Sequence, residues 1–165
     1  MGWVAAPSGR EPVISLPIHG GAAAPRIARA GVLSRLEGRV TDETADDVAL
    51  VVCELVTNSV MHAGLGADDT VLVEIALGDD RLAITVTDPG SDLVPRLVPR
   101  DPTRPHGFGL HLVNDISVSW GVCRNRGATR VWCELALGEC LRSDPPNAAT
   151  TALQLTAAPT LTAEG

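Results

Sequence analysis

The chain has 165 residues, enough for one domain with a substantial core and too few for two. Hydrophobic residues make up 45% of it and aromatic residues only 2%, so the core is expected to consist of Val, Leu, Ile and Ala. The formal net charge of −7 argues against nucleic-acid binding, because phosphate backbones are held by clustered cations and the sequence has no such cluster.

The sequence shows no targeting or membrane signal. A positively charged segment followed by an apolar run, as in a signal peptide, is not seen, and no stretch approaches the roughly 18 apolar residues that span a bilayer. The cysteines at 53, 123, 133 and 140 lack CxxC spacing, and three of them lie in apolar periodic segments. Buried reduced thiols are expected, rather than disulfides or a zinc site. A cytoplasmic protein without membrane contact is the resulting prediction.

The first half of the chain predicts a strand and two helices. Residues 1–10 are expected to form a flexible leader, and alternation over 13–18 predicts a short edge strand. Apolar residues at near-helical spacing predict a first helix over 23–37. A second helix is expected to be capped by Thr41 and to run to about His62, with a wide apolar stripe.

The second half predicts four strands and a third helix. In chain order these are strands at 71–77 and 82–86, a helix at 108–116, and strands at 118–125 and 128–137. Four prolines among charges over 91–106 favour neither helix nor strand. Residues 139–165 have no periodicity and are predicted to be a disordered tail. Together the elements predict an α+β two-layer sandwich over residues 11–138, with helices on one face of a mostly antiparallel sheet.

Glu54 and Asn58 are the first candidates for chemistry. They are four residues apart, so they share one face of the predicted second helix. Leu50 and Cys53 lie beside that face, so the two polar groups are expected to emerge in apolar surroundings, where they need partners. The alternative is the polar stripe of an ordinary amphipathic helix.

Asp88 ends a strand whose apolar residues point to the core. It has the parity of Ile84 and Val86, so its carboxylate is expected to face inward, where it needs a hydrogen-bond donor. The alternative is that Asp88-Pro89-Gly90 is an ordinary turn.

A glycine-rich turn and an inward threonine complete the candidate set. Gly107-Phe108-Gly109 opens the third predicted helix, where backbone N–H groups and the helix dipole suit phosphate oxygens. A flexible hinge would have the same sequence. Thr129 has the parity of Val131 and Cys133, so its hydroxyl is expected to face inward.

These pieces occur in the order of a known set of motifs. The segments are Glu54-Leu55-Val56-Thr57-Asn58-Ser59-Val60-Met61-His62-Ala63, then Asp88-Pro89-Gly90, then His106-Gly107-Phe108-Gly109-Leu110-His111-Leu112-Val113, then Gly127-Ala128-Thr129. The chain resembles the GHKL (histidine kinase-like) ATPases, whose N, G1 and G2 boxes have this order. Within that superfamily, over residues 11 to 137, it is most similar to the bacterial anti-sigma-factor serine/threonine kinases.

The resemblance implies a role for each matched residue. Asn58 would ligate Mg, and Glu54 would be the general base that takes a proton from the serine hydroxyl of a protein substrate. Asp88 would bind the adenine amine, with Thr129 supporting it through a water. Gly90 would leave room for the base.

The remaining matches concern the phosphates. Gly107, Phe108, Gly109 and Leu110 would form the phosphate-binding turn at the start of the third helix. Residues 91–106 would be the ATP lid, from which Arg100 or Arg104 would reach the γ-phosphate.

The function implied is an ATP- and Mg-dependent regulator of transcription, an anti-sigma factor that phosphorylates a serine of its antagonist protein. A sigma factor as second partner and a homodimer are also implied by the resemblance. One alternative keeps the fold but acts by ATP-dependent or vestigial protein binding without kinase activity. A catalytic domain detached from a histidine kinase is a second alternative, disfavoured because no helical pair with a phosphoacceptor histidine precedes it. A metalloenzyme is disfavoured because the His and Cys residues show no ligand spacing.

Overall fold

The computed structural model describes residues 11–90, 109–125 and 127–137, which form three helices and five strands. In chain order the elements are β1 (Ile14–His19), α1 (Ala24–Leu36), α2 (Asp42–Ala63), β2 (Thr70–Leu77), β3 (Arg81–Asp88), α3 (Gly109–Ile116), β4 (Ser119–Asn125) and β5 (Ala128–Ala136). The strands form one sheet in the order β1-β2-β3-β5-β4, and each neighbouring pair is antiparallel. The predicted α+β sandwich is confirmed.

The predicted elements agree closely with the observed ones. Every helix and strand expected within the described residues is present, and its ends differ from the prediction by one or two residues at most. The leader at 1–10, the segment 91–106 and the tail at 139–165 lie outside the described residues, so those expectations remain predictions.

The long helix α2 begins and ends at the predicted signals. The Thr41 side chain accepts a hydrogen bond from the backbone N–H of Thr44 at 3.2 Å, and acidic residues occupy the first turn, near the positive end of the helix dipole. Gly64 ends the helix in the left-handed conformation, with φ of +64°. These caps fix where α2 begins and ends.

Alternate residues of each strand face the helices and build the core. In β1 the buried residues are Ile14, Leu16 and Ile18, while the intervening residues are exposed. The other strands and the helices contribute Val71, Val73, Ile75, Leu82, Ile84, Val86, Val131, Cys133, Leu135, Ala28, Val32, Leu36, Val48, Val51, Val52, Leu55 and Val56. Among the described residues this buried cluster contains no aromatic side chain, as the composition predicts.

The opposite face of the sheet carries Trp132, which alternation places away from the helices. Its indole lies over Gly121 of the neighbouring strand, where a Cβ would come within 2.9 Å of the ring. Trp132 is only 2% exposed, and its Nε1 has no hydrogen-bond partner. Nothing in the sequence pattern indicated that a residue on this face is buried.

The third helix is joined to the edge strand β4 by a side-chain contact. The indole Nε1 of Trp120 donates to Oδ1 of Asn114 at 3.1 Å, and Trp120 also packs against the core. On its other side α3 packs against α2. Helix α3 is therefore fixed between α2 and the edge of the sheet.

The three cysteines within the described residues are free thiols but not equally buried. Cys133 is buried in the core, whereas Cys53 and Cys123 are only partly buried, so the expectation of burial is right for one of the three. Cys140 lies outside the described residues. In the described ranges, no helix has the length and apolar character needed to cross a membrane.

Candidate functional site

Glu54 and Asn58 lie one turn apart on α2, and both are partly buried. The sequence predicted apolar surroundings for both groups. On one side these surroundings are partly open to solvent, because Leu50 is 42% exposed and Cys53 is only partly buried. Between the two candidates, Thr57 donates its hydroxyl to the Cys53 carbonyl at 2.7 Å, which leaves it satisfied within the helix. The pair therefore lies at the boundary between core and solvent.

The N-terminus of α3 lies directly against this pair. A Cβ added at Gly109 would be 2.5 Å from Oε2 of Glu54 and 3.5 Å from Nδ2 of Asn58. A side chain at this position would have to displace the Glu54 carboxylate from where it now lies. The structure thus brings the predicted phosphate-binding helix start together with both candidate residues of α2.

The amide of Asn58 has an unmet hydrogen-bonding need. Its Nδ2 is buried and has no partner, although a buried amide group left unpaired costs about 1–3 kcal/mol. A side-chain amide offers both an oxygen and a nitrogen, and its two ends can exchange by rotation. An unpartnered amide at this place is consistent with a ligand that completes its bonding.

The residues next to Gly109 contribute less to the described site. Gly107 and Phe108 lie outside the described residues, as do Arg100 and Arg104. Leu110 is 8% exposed, and its side chain belongs to the hydrophobic core. Its predicted contribution to ATP binding therefore rests on its backbone.

Asp88 and Thr129 form a second group, on the sheet. They are direct cross-strand partners in the β3–β5 ladder, and both face the helix side, as predicted. Asp88 is 6% exposed and accepts a hydrogen bond from the Gly90 N–H at 2.8 Å through Oδ1. Thr129 is 2% exposed, and its Oγ1 has no partner. A buried carboxylate thus lies beside a buried hydroxyl that has an unused donor.

Gly90 follows Asp88 and has a φ of +88°, which favours glycine. A Cβ there would overlap the backbone carbonyl of Gly127, so the two glycine turns pack directly on each other. The sequence suggested that Gly90 leaves room for a base. In the structure the space beside its Cα is filled by the protein's own backbone, and a contact with a base remains a prediction.

The residues present fit a magnesium nucleotide. Asn58 and Thr129 each have a buried polar atom without a partner, at positions to which the motifs assign ligand contacts. A carboxylate lies near each of them. Glu54 is one turn before Asn58 on α2, and Asp88 is the cross-strand partner of Thr129. Amide and carboxylate oxygens are ligands that Mg prefers. In the described part, no three His, Cys, Asp or Glu residues cluster as a metal site.

Comparison with known proteins identifies the class. The family described as histidine kinase-like ATPase domain matches residues 22–134, which is more than half of the 165-residue chain. The chain belongs to this family, as its motifs predict, and so carries an ATP-binding domain.

A solved structure shows the same fold in a larger protein. The crystal structure of the RsbU and RsbW domains of Rv1364c from Mycobacterium tuberculosis is similar with a TM-score of 0.54 and 20% sequence identity. The match covers 76% of this chain and 33% of that one, so this chain spans about a third of its neighbour's length. A search of curated proteins found no match.

Proposed function

We propose that the protein is an ATP-dependent serine kinase of the anti-sigma-factor type, which binds Mg-ATP and phosphorylates a serine of an antagonist protein. The observation that carries the proposal is the contact of Gly109 with Glu54 and Asn58. It brings the Glu54 carboxylate, the Asn58 amide and a helix N-terminus together in a domain whose family binds ATP. The neighbour whose title names an RsbW domain has the same fold, which is in keeping with this proposal.

In this proposal each of the two groups of residues binds a different part of the nucleotide. On the helix side, Asn58 would hold Mg through its side-chain oxygen, and the α3 N-terminus at Gly109 would donate backbone N–H groups to phosphate oxygens. On the sheet side, Asp88 would accept a hydrogen bond from the adenine amine, and the Thr129 hydroxyl, which has no partner in the protein, would bind the bridging water. Gly90 holds the Asp88 carboxylate through its N–H.

Glu54 has the chemical role. When bound, Mg-ATP supplies the phosphoryl group and the charge neutralisation that its transfer requires. Glu54 would accept the proton of the serine hydroxyl as the serine oxygen forms its bond to the γ-phosphorus. The bond from that phosphorus to the bridging oxygen would break, and ADP would be the leaving group. A partly buried carboxylate on the rim of the core can reach both the nucleotide side and an incoming protein.

The proposal includes the partners and setting of such a regulator. The substrate is an antagonist protein, a sigma factor is a second binding partner, and the working form is a cytoplasmic homodimer. These assignments depend on the resemblance of the motifs to the anti-sigma-factor kinases.

The proposal is tested by calorimetric titration of the purified protein with ATP, with and without Mg, followed by transfer of labelled γ-phosphate to proteins of a cell extract. We expect Mg-dependent binding and a phosphoserine product. Glu54→Ala should keep binding and lose transfer, whereas Glu37→Ala, which removes an exposed carboxylate of α1's C-cap, should keep both.

Each result separates the alternatives. Mg-ATP binding without labelling of any protein would favour a regulator that acts by association alone. No binding by the folded protein would show that the pocket is vestigial. An undiminished transfer rate in Glu54→Ala would remove Glu54 from the role of base.

A further inference from the structure

The solvent face of α2 carries two exposed apolar side chains on either side of Glu54. Leu50, Glu54, Thr57 and Met61 follow each other at spacings of four, three and four residues, so they form one line along the helix. We name these four residues the α2 strip. Leu50 is 42% exposed and Met61 is 68% exposed.

These exposures contrast with the rest of α2. Its other large aliphatic residues are mostly fully buried, among them Val48, Val52 and Leu55. A single exposed aliphatic residue needs no explanation. Here both exposed residues lie on the line that contains the proposed base, one turn before it and two turns after it. This placement gives Glu54 an apolar border on the side away from Gly109.

Charge at the N-terminal end of the strip is negative. Asp46 is exposed and lies one turn before Leu50, and Asp47 beside it is partly buried. Among the ion pairs of the described residues, none includes either aspartate. With a net charge of −7 on the chain, this end of the strip suits a positively charged group from another molecule.

We propose that the α2 strip is the docking surface for the acceptor segment of the protein substrate. This inference rests on the proposed kinase function, because it assigns Glu54 as the residue that meets the acceptor hydroxyl. The segment that fits carries its serine between two aliphatic residues that cover Leu50 and Met61. A basic residue at one end meets Asp46.

The helix geometry fixes the spacing of that segment. At about 1.5 Å per residue, Leu50 lies about 6 Å and Met61 about 10 Å along the axis from Glu54, and Asp46 about 6 Å beyond Leu50. An extended segment advances about 3.3 Å per residue. The aliphatic residue that covers Leu50 is therefore about two positions from the serine, and the one that covers Met61 is about three positions away on the other side. The basic residue that meets Asp46 lies about two positions beyond the aliphatic residue at Leu50.

The test measures binding of labelled synthetic peptides to the full chain by fluorescence anisotropy, without nucleotide. The probes are Arg-Ala-Leu-Ala-Ser-Ala-Ala-Leu and the same residues in reverse order, since the segment can run in either direction. The control peptide has both leucines replaced by Asn and the arginine by Glu. We expect one probe to bind at least about tenfold more tightly than its control, a difference of about 1.4 kcal/mol.

Variants locate the binding on the protein. The double variant Leu50→Ser/Met61→Ser should weaken probe binding at least tenfold, whereas Ile27→Ser, which changes an equally exposed aliphatic residue of α1, should not. Asp46→Lys should weaken binding of the arginine-containing probe, and Asp79→Lys, at the exposed β2–β3 turn, should leave it unchanged. Equal binding of probe and control peptide, or unchanged binding in the double variant, would overturn the proposal.

The outcomes also separate this proposal from the kinase proposal. Calorimetric ATP binding should be the same in the double variant and the wild type, which checks folding and the nucleotide site independently of docking. Absence of ATP binding in the wild type together with tight probe binding would refute the kinase, and the α2 strip would then be a peptide-binding surface without an acceptor role. A dimer that the double variant converts to a monomer in sedimentation would show that a second copy covers the strip, and would overturn the proposal.

Discussion

The sheet side and the helix side of the candidate site are built in different ways. Asp88 and Thr129 are 6% and 2% exposed and are held opposite each other by the β3–β5 ladder. Glu54 and Asn58 are partly buried, and their positions depend on one helix face and on the approach of Gly109. One side is part of the core of the protein, and the other lies at its surface.

Substitutions on the two sides should therefore have different effects on folding and on binding. A change on the sheet side alters packing and buried hydrogen bonds, so it should affect the free energy of unfolding as well as binding. A change on the helix side removes groups to which the proposed function assigns ligand contacts, so it should affect binding with little effect on folding. In the proposed kinase, the helix side is also the one that a protein substrate would reach.

The largest expected effect is that of Gly90→Ala, on the sheet side. The left-handed φ of +88° alone costs a non-glycine residue about 1–3 kcal/mol, and the new Cβ would overlap the backbone of Gly127. We expect urea unfolding to show a loss of about 3 kcal/mol or more. ATP affinity should fall with it, because a displaced turn would move the backbone N–H of residue 90 that holds the Asp88 carboxylate.

Gly66→Ala is the matched control for this change. Gly66 lacks a left-handed φ, and the nearest atom to its new Cβ is Oδ2 of Asp69 at 3.8 Å. The unfolding free energy of the Gly66→Ala variant should stay within about 1 kcal/mol of the wild-type value. Equal losses in the two variants would contradict the packing role of Gly90.

Asn58→Ala tests the helix side. It removes an amide whose buried Nδ2 has no partner in the protein, so the unfolding free energy should change little. Mg-dependent ATP affinity should fall about a hundredfold, or about 2.7 kcal/mol. Calorimetry and thermal melting of the same sample measure both quantities, and intact ATP affinity would refute the proposed Mg ligand.

Cys133 gives the sheet a pH-dependent contribution to the free energy of unfolding. Burial, and secondarily the charge of Glu134, raises the pKa of Cys133 from an ordinary 9.0 to about 12. The unfolded thiol ionises first, so the contribution to stability is complete below pH 9 and is lost as the pH rises toward 12. Relative to Cys133→Val, the wild type should lose about 1.3 kcal/mol between pH 8 and 10 in urea unfolding. Parallel curves for the two proteins would contradict a buried, neutral thiol.

Thr129→Val should have the smallest effect, with opposite signs for folding and binding. The buried hydroxyl has no partner, so its replacement by a methyl group should stabilise the ATP-free protein by about 1 kcal/mol. ATP affinity should fall roughly fivefold to tenfold because the donor to the nucleotide side is lost. A destabilised variant with unchanged ATP affinity would show that Thr129 serves the fold alone.

The sequence was sufficient for the fold because its signals were local and strong. Thr41 and Gly64 set the ends of α2, and alternation placed Asp88 and Thr129 on the helix side of the sheet. The family motifs then connected residues far apart in sequence, and the structure brings Gly109 against Glu54 as that connection requires.

Features that depend on the third dimension were not predictable. Helical periodicity placed Leu50 beside Glu54 but could not show that neither α1 nor α3 covers it. Alternation put Trp132 on the face away from the helices, where burial is unexpected, and only the pairing with Gly121 explains how its ring fits the sheet. The contact of Gly90 with Gly127 joins two turns that no periodic pattern relates.

The hydrogen bond between Trp120 and Asn114 has a spectroscopic consequence. Trp120 reports on the position of α3, because its indole is bonded to that helix while its backbone belongs to the sheet. Trp132 lies buried on the other face and provides a second, differently placed chromophore. The protein has only three tryptophans and no tyrosine, so its intrinsic emission comes from few sources. Any shift of α3 against the sheet should therefore appear as a change in the fluorescence of the unlabelled protein.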